Sequence, residues 1–226
     1  MNVVIIVAGG SGLRMGSEIP KQFLPVAGKP ILMHTLRRFN DYDKSMRIVL
    51  VLPKSQREYW DALCREHSFD IEHAIVDGGE TRYHSVLNGL NYTRQHLSSA
   101  TCIGVHDGVR PLVSAETLRR TFTEASEYGS AIPVMPAIES VRFIDETDKG
   151  MSHAVDRRRV VLVQTPQVFR AQMLFESYGL GYRETFTDDA SVCEAAGHVM
   201  HLAEGNKENV KITTPDDLLL AEMMLR

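Results

Sequence analysis

The sequence predicts an α/β domain built on a mostly parallel central sheet, and three observations lead to this expectation. Strand-like and helix-like segments alternate along the chain, which is typical of a sheet covered by helices on both faces. Residues 48–52 are continuously apolar, as expected for a strand buried on both faces. A glycine-rich segment, residues 8–16, follows the first apolar strand, where open α/β sheets bind ligands.

Length and composition narrow the classes of protein that the chain can belong to. The 226 residues suit a single domain, 1–226, and the 43% hydrophobic content is enough for a sizeable core. A net charge of −4 gives no general basicity, so no nucleic acid partner is expected. Three widely spaced cysteines form no C-x-x-C pair, which argues against zinc and disulfides and favours a cytoplasmic location. No apolar run approaches the roughly 20 residues that span a bilayer, so no membrane partner is expected.

The elements of the first part of the chain follow from periodicity and capping. Pro30 suits the first turn of a helix that runs to about Asn40. Apolar positions at helical spacing predict helices over 60–67 and 83–90, and Ser114 is a plausible N-cap of the next one. The strands expected in this part are 3–7, 47–52, 74–76, 101–105 and 130–135.

The alternation of strand-like and helix-like segments ends after residue 136. Residues 137–160 alternate polar and apolar residues around a polar bend, which predicts a two-stranded β-arm. Such a ribbon is rarely stable alone, so we expect it to pack on a second subunit. The elements expected beyond it are a helix at 171–178, a helix capped by Thr187, strands at 199–203 and 210–212, and a helix from 214 to 225.

The glycine-rich segment predicts a polyphosphate site. Gly9, Gly10 and Gly12 let backbone N–H groups approach a ligand, and Arg14 and Lys21 add two cations nearby. The spacing matches neither a P-loop nor the dinucleotide fingerprint G-x-G-x-x-G. We therefore interpret the segment as the triphosphate loop of a nucleotidyltransferase; the alternative is an ordinary flexible turn.

Further candidates lie at three expected strand ends on the same edge of the sheet. Asp107 could ligate Mg²⁺ or hold a substrate hydroxyl, or it could bond only within its own turn. Arg110 could bind phosphate or pair with Asp107. Gly79 and Ser85 could read a base edge, although a capped turn explains them equally well. Lys211 is expected to point away from the apolar face of its strand, toward the edge that carries Asp107.

These motifs resemble those of 2-C-methyl-D-erythritol 4-phosphate cytidylyltransferases, in order over nearly the whole chain. The matching segments are Ala8-Gly9-Gly10-Ser11-Gly12-Leu13-Arg14-Met15, Pro20-Lys21-Gln22-Phe23, Asp77-Gly78-Gly79, His106-Asp107-x-x-Arg110-Pro111, Val155-Asp156-Arg157, Gln164-Thr165-Pro166-Gln167 and Asn209-Val210-Lys211-Ile212-Thr213. The resemblance implies a Rossmann-like nucleotidyltransferase fold, a homodimer joined through the β-arm, and CTP and a polyol phosphate as substrates. It also implies Mg²⁺ or another divalent cation, held mainly by the CTP phosphates.

The resemblance also implies a role for each matching residue. The catalytic set would be Arg14, Lys21, Arg157 and Lys211, with Arg157 supplied by the partner subunit. The residues around the nucleotide would be Ala8, Gly9, Gly10, Gly12, Gly79, Glu80 and Ser85. The polyol phosphate would contact Asp107, Arg110, Ser140, Arg157 and Lys211, and Asp107 is also the candidate metal ligand.

Other functions stay open at the level of sequence. The segment Val7-Ala8-Gly9-Gly10 departs from the familiar Pro-Ala-Ala-Gly start and also resembles D-ribitol-5-phosphate cytidylyltransferases. The arm sequence Glu139-Ser140-Val141-Arg142 favours methylerythritol phosphate, because Ser140 keeps the hydroxyl of an expected threonine. A sugar-1-phosphate nucleotidyltransferase that prefers UTP or GTP and a nucleotide-binding protein without turnover are the further alternatives.

Overall fold

The computed structural model describes residues 1–10, 19–145 and 150–225. Its strands are β1 Asn2–Val7, β2 Pro25–Val26, β3 Lys29–Pro30, β4 Arg47–Leu52, β5 Ala74–Asp77, β6 Cys102–Asp107, β7 Ser130–Pro136, β8 Val141–Ile144, β9 Ser152–Val155, β10 Val161–Val163, β11 Gln167–Arg170 and β12 Leu202–Glu204. Its helices are α1 Ile31–Tyr42, α2 Arg57–Glu66, α3 Arg82–His96, α4 Ala115–Tyr128, α5 Ala171–Tyr178, α6 Asp189–Ala195 and α7 Pro215–Leu225. Short 3₁₀ turns lie at Lys21–Phe23, Lys54–Gln56 and Arg157–Arg159.

A mixed central sheet organises the described residues and confirms the predicted α/β class. Seven strands follow the order β10-β7-β11-β6-β1-β4-β5, and β12 pairs with β7 as an eighth strand. The strands β5, β4, β1 and β6 are mutually parallel, because each is connected to the next by a helix that covers one face. Their carboxyl ends therefore meet at one edge of the sheet, as the sequence predicts.

The sheet separates two apolar clusters, one on each face. Alternate residues of β1 divide between them: Val4 and Ile6 pack in the cluster with α1 and α2, whereas Val3 and Ile5 pack in the cluster with α3. This two-sided burial explains why β1 and β4 are continuously apolar in sequence.

Several predicted elements are shifted or absent. The helix expected after Thr187 is capped by Asp188 instead, because the Asp188 carboxylate accepts the backbone N–H of Ser191 in a capping box. The strand expected at 199–203 lies at Leu202–Glu204, where pairing with β7 sets its bounds. The segment 210–212 is not a strand; a backbone bond from the Ile212 N–H to the Val109 carbonyl and the ion pair of Lys211 with Asp107 anchor it.

Four described strands have no counterpart in the sequence prediction: the short antiparallel pair β2 and β3, and the strands β10 and β11 of the central sheet. β11 inserts between β6 and β7 and runs antiparallel to both, and β10 pairs with the other edge of β7. The β-arm is present as an antiparallel pair of β8 and β9 that stands off the central sheet. Its role in dimerisation stays a prediction, and residues 146–149 of its bend lie outside the described residues.

Candidate active site

An open cavity of about 470 Å³ lies at the carboxyl ends of β1, β5 and β6. Most of the predicted site residues within the described ranges line it together: Ala8, Gly9, Gly10, Lys21, Gly79, Glu80, Ser85, Asp107 and Lys211. Gly12 and Arg14 lie outside the described residues. The structure thus brings residues that are up to two hundred positions apart in sequence to one edge of the sheet.

Three predicted residues do not line this cavity. Arg110 is turned toward the carbonyl oxygen of Asn209 and the carboxylate of Asp107. Ser140 precedes the first strand of the arm, and Arg157 follows the second, where its guanidinium is exposed and bonds to the carbonyl of Ile138. Within one chain, the described arm therefore adds no wall to the cavity.

The loop from β5 to α3 forms one wall, and its shape depends on glycine. A Cβ on Gly79 would lie 2.4 Å from the Cβ of His84, a distance that no side chain tolerates. The Gly79 N–H donates to the Ser85 hydroxyl at 3.1 Å, and that hydroxyl donates to the Thr81 carbonyl at 3.0 Å. Thr81 also caps α3. Ser85 and Thr81 therefore hold the loop open beside the cavity.

Lys21 reaches the cavity from a tightly anchored 3₁₀ turn. Its neighbour Gln22 is fully buried, and its Nε2 donates to the Ala8 carbonyl at 2.8 Å and to Gln56 Oε1 at 2.6 Å. The Lys21 chain passes Gly10 so closely that a Cβ there would lie 3.0 Å from Lys21 Cε. A side chain at position 10 would therefore displace the end of the lysine from its path and would reduce backbone access to a ligand.

Asp107 is the electrostatic centre of the cavity wall. Its Oδ2 lies 3.1 Å from Lys211 Nζ and 3.1 Å from Arg110 Nε, and its Oδ1 lies 3.9 Å from Arg82 Nε. Burial alone would raise the pKa of Asp107, but these three cations outweigh burial and hold the pKa well below its usual range. Asp107 is therefore ionised at every physiological pH.

Arg82 is a site residue that the sequence analysis missed. It sits in the first turn of α3 and lines the cavity, and its Nη2 contacts the buried Asp189 Oδ2 at 2.6 Å. Tyr178 donates to the other oxygen of Asp189 at 2.6 Å. A cation at a helix N-terminus opposes the helix dipole, which is the one local signal of a special role. Gln22, Lys54 and Thr81 are the other polar residues of the wall that were not singled out.

The predicted metal ligand has no partners suited to a protein metal cage. Among the described residues, no group of three or more His, Cys, Asp or Glu side chains could hold a metal ion. The two carboxylates of the wall are Glu80 and Asp107, and the latter already contacts three cations. The acids Asp188 and Asp189 cap α6 and pair with Arg82, respectively.

An α/β sheet with a glycine-lined cavity and converging cations at its carboxyl edge suits the binding of a nucleoside triphosphate, as in the nucleotidyltransferase class. Comparison with known proteins gives the family. Residues 2–226 match IspD, 2-C-methyl-D-erythritol 4-phosphate cytidylyltransferase, and the chain belongs to this family.

Individual relatives agree along the whole chain. The chain is 53% identical over 222 residues to 2-C-methyl-D-erythritol 4-phosphate cytidylyltransferase of Bacteroides thetaiotaomicron, covering 98% of each chain, and 50% identical to that of Porphyromonas gingivalis, covering 98% and 96%. The crystal structure of the Thermus thermophilus enzyme of the same name superposes with a TM-score of 0.77 at 30% identity, covering 99% and 98%. These matches confirm the resemblance inferred from the motifs.

Proposed function

We propose that this protein transfers CMP from CTP to 2-C-methyl-D-erythritol 4-phosphate, giving 4-diphosphocytidyl-2-C-methyl-D-erythritol and pyrophosphate in the non-mevalonate route to isoprenoid precursors. The observation that carries the proposal is the meeting of Lys21, Lys211 and Asp107 at a glycine-lined cavity, in a chain about half identical to enzymes of that name. The cavity is large enough for a ligand of nucleotide size.

The reaction is an in-line displacement at phosphorus. An oxygen of the substrate phosphate attacks the α-phosphorus of CTP, a new P–O bond forms, and the bond to the β-phosphate oxygen breaks so that pyrophosphate leaves with the electron pair. A phosphate monoester is mostly dianionic at neutral pH, because its second pKa is about 6. The nucleophile is therefore already deprotonated, and no protein base is required.

The chain's cations then have separate tasks. Lys21, which lies beside Gly10, is proposed to stabilise charge on the reacting phosphates, and Arg14 is proposed to assist it. Lys211 is proposed to contact the phosphate of the polyol substrate, together with Arg110 and Ser140. The nucleotide is proposed to lie against Ala8, Gly9, Gly10, Gly12, Gly79, Glu80 and Ser85.

We propose that Mg²⁺ is held mainly by phosphate oxygens of CTP, where it would supply charge neutralisation and orientation. The donor set supports this division, because the described residues offer no cage and Asp107 is already neutralised by cations. Asp107 is then better suited to position Lys211 and to contact substrate than to ligate metal. The assignment of Asp107 as a metal ligand stays a prediction from the sequence.

A homodimer joined through the arm completes the proposal. The arm exposes large apolar side chains that water covers in one chain: Ile138, Phe143, Ile144 and Met151. The neighbouring edge strand β10 exposes Val161, Leu162 and Val163 as well. A second subunit that covers these residues could bring Arg157 to the cavity from outside.

The cellular setting is proposed to be the cytoplasm, with no nucleic acid or membrane partner. The three cysteines are all described and all free thiols, as suits a reducing compartment. In the described part of the chain, no helix combines the length and the apolar character that crossing a bilayer requires.

The deciding experiment measures Mg²⁺-dependent pyrophosphate release from CTP, with 2-C-methyl-D-erythritol 4-phosphate and D-ribitol 5-phosphate in parallel. Strong preference for the first is the expected result. Preference for ribitol phosphate, or for UTP or GTP over CTP, would reject the substrate assignment. Nucleotide binding without release from either polyol phosphate would indicate a non-catalytic protein.

A further inference from the structure

A closed ring of hydrogen bonds joins three segments: the one that carries Asp107 and Arg110, the one that carries Thr165, and the one that carries Asn209 and Lys211. The backbone N–H of Asp107 donates to the Thr165 hydroxyl at 3.1 Å, and Nδ2 of Asn209 donates to the Thr165 carbonyl at 2.8 Å. Nη1 of Arg110 donates to the Asn209 carbonyl at 2.8 Å. Nε of Arg110 donates to the Asp107 carboxylate at 3.1 Å and closes the ring.

His106 braces this ring across its middle. Its Nε2 lies 3.1 Å from the Arg110 carbonyl, so this nitrogen carries the proton, and its Nδ1 accepts from the Thr165 hydroxyl at 3.0 Å. Burial lowers the pKa of His106 to about 4, so its imidazole stays neutral, in the tautomer that makes both hydrogen bonds. Thr165 thus has one bond to accept, one to donate and no freedom to rotate.

The orientation of Asn209 is fixed by the same contacts. Its side chain is fully buried, and Nδ2 also lies 3.2 Å from Gln164 Oε1. Turning the amide over would place Oδ1 against two acceptors, so only one orientation is allowed. In that orientation Oδ1 has no partner among the described residues, although an unmade buried hydrogen bond costs about 1–3 kcal/mol. Because this oxygen lowers the stability of the fold, a contribution to stability does not by itself explain the asparagine at position 209.

We propose that Thr165 and Asn209 are positioning residues, which hold Lys211 against Asp107, whose carboxylate Arg110 also contacts, in the geometry that receives the substrate phosphate. Asn209 anchors the backbone two residues before Lys211, whose Nζ lies 3.1 Å from Asp107. Thr165 fixes the backbone of Asp107 on the opposite side of that ion pair. This assignment deepens the proposed function and rests on it.

The first test removes one hydroxyl from the ring. Thr165→Val keeps the shape of the side chain and removes both of its hydroxyl bonds, whereas Thr165→Ser keeps them. Thr121→Val is the matched control, because Thr121 is a fully buried threonine of α4 that bonds only within its helix. The readout is the Kd of 2-C-methyl-D-erythritol 4-phosphate with a non-hydrolysable CTP analogue bound, which needs no turnover.

Thr165→Val is expected to weaken this binding about tenfold, as for the loss of one or two buried hydrogen bonds, and to leave the Kd of the CTP analogue within about twofold. Thr165→Ser is expected to restore most of the affinity, and Thr121→Val to leave it as in the wild type. Unchanged polyol phosphate binding in Thr165→Val would overturn the proposal, as would an equal loss of affinity for the CTP analogue.

A double-mutant cycle with Lys211→Ala separates positioning from general structural damage. If Thr165 acts through Lys211, then Thr165→Val should weaken binding less than about threefold once Lys211 is removed. A full tenfold loss in both backgrounds would overturn the proposal.

Asn209→Ala breaks the ring at another bond, the one between Asn209 and the Thr165 carbonyl. If Thr165→Val does not fold, the Kd of the polyol phosphate is measured with Asn209→Ala instead. If neither variant folds while Thr121→Val does, the ring serves the fold and the proposal is rejected. Wild-type protein that binds the CTP analogue but shows no binding of the polyol phosphate would refute the proposed function itself, and this proposal with it.

Discussion

The cavity edge and the β-arm carry the same kind of ion pair in opposite surroundings. Arg110 and Asp107 meet at 3.1 Å with side chains only 12% and 9% exposed. Arg158 and Asp156 of the arm meet at 2.8 Å, yet their side chains are 87% and 43% exposed. The arm pair is shorter, but water screens it, so the shorter distance does not make it the stronger contact.

This difference shows how the two regions acquire their geometry. At the cavity, buried partners within the chain fix each charge, and substrate meets cations that are already in place. On the arm, exposed arginines and exposed apolar side chains lie together without a core beneath them. The cavity is organised by buried partners within its own chain, whereas the described arm has exposed apolar side chains, which is the basis of the proposed second subunit.

The largest effect is expected at the cavity. Lys21→Ala should lower kcat by about 100- to 1,000-fold, as for loss of a group that stabilises transition-state charge, with the fold unchanged. Steady-state kinetics and circular dichroism measure the two parts of this prediction. Lys44→Ala, which removes an exposed lysine paired with Asp41, is the matched control. Near-normal turnover in Lys21→Ala would remove this lysine from the mechanism.

The proposed dependence of the arm on a partner predicts recovery of activity in mixed dimers. Chains with Lys21→Ala and chains with Arg157→Ala should each be nearly inactive. After subunit exchange at equal amounts, half of the dimers are mixed, and each mixed dimer has one intact site, so about a quarter of wild-type activity should return. Each variant exchanged with itself is the control. Mass spectrometry verifies that the subunits have exchanged. If activity does not return after verified exchange, Arg157 lies outside the shared site.

The same contrast explains which features were predictable from sequence. Local signals were sufficient for the cap at Ser114 and for the apolar strand β4, because the residues that decide them are neighbours in sequence. The edge of the sheet that carries Asp107 follows from these elements and from the parallel topology. Gly79 could be placed on the cavity wall for the same reason.

Features decided by distant partners were not predictable. Arg82 acquires its role through Asp189, 107 positions away, and nothing near either residue indicates the pair. The strand β11 has four residues and becomes a strand because β6 and β7 leave an edge on each side of it. Lys211 was assigned to a strand because Val210 and Ile212 flank it, but Ile212 is buried by α1 and α7 rather than by the sheet.

A smaller effect is expected on stability when the buried carboxylate is neutralised. Asp107→Asn leaves Arg110, Lys211 and Arg82 without their shared counter-charge, so the free energy of unfolding should fall by about 3 kcal/mol at pH 7. Urea denaturation measures this change. If Asp107→Asn has the same free energy of unfolding as the wild type, then Asp107 does not stabilise the fold by neutralising the three cations.

The pH dependence of stability follows from the same carboxylate. Its pKa in the folded state lies below the unfolded value of about 4, so the unfolded state takes up a proton first as the pH falls. The stability that Asp107 contributes is fully present above pH 4 or so and is lost below it. Asp107→Asn should therefore unfold with a shallower dependence on pH below about 4 than the wild type.

The smallest effect is expected from the exposed pair on the arm. Arg158→Ala removes a contact of 2.8 Å, but both partners are open to water, and salt already screens their attraction. The free energy of unfolding should be unchanged within error in urea denaturation, at low salt and at high salt alike. A clear loss of stability that depends on protein concentration would show that a second subunit buries this pair. The contrast between the two regions would then belong to the isolated chain, and the arm would be ordered by the dimer as strongly as the cavity is by its own core.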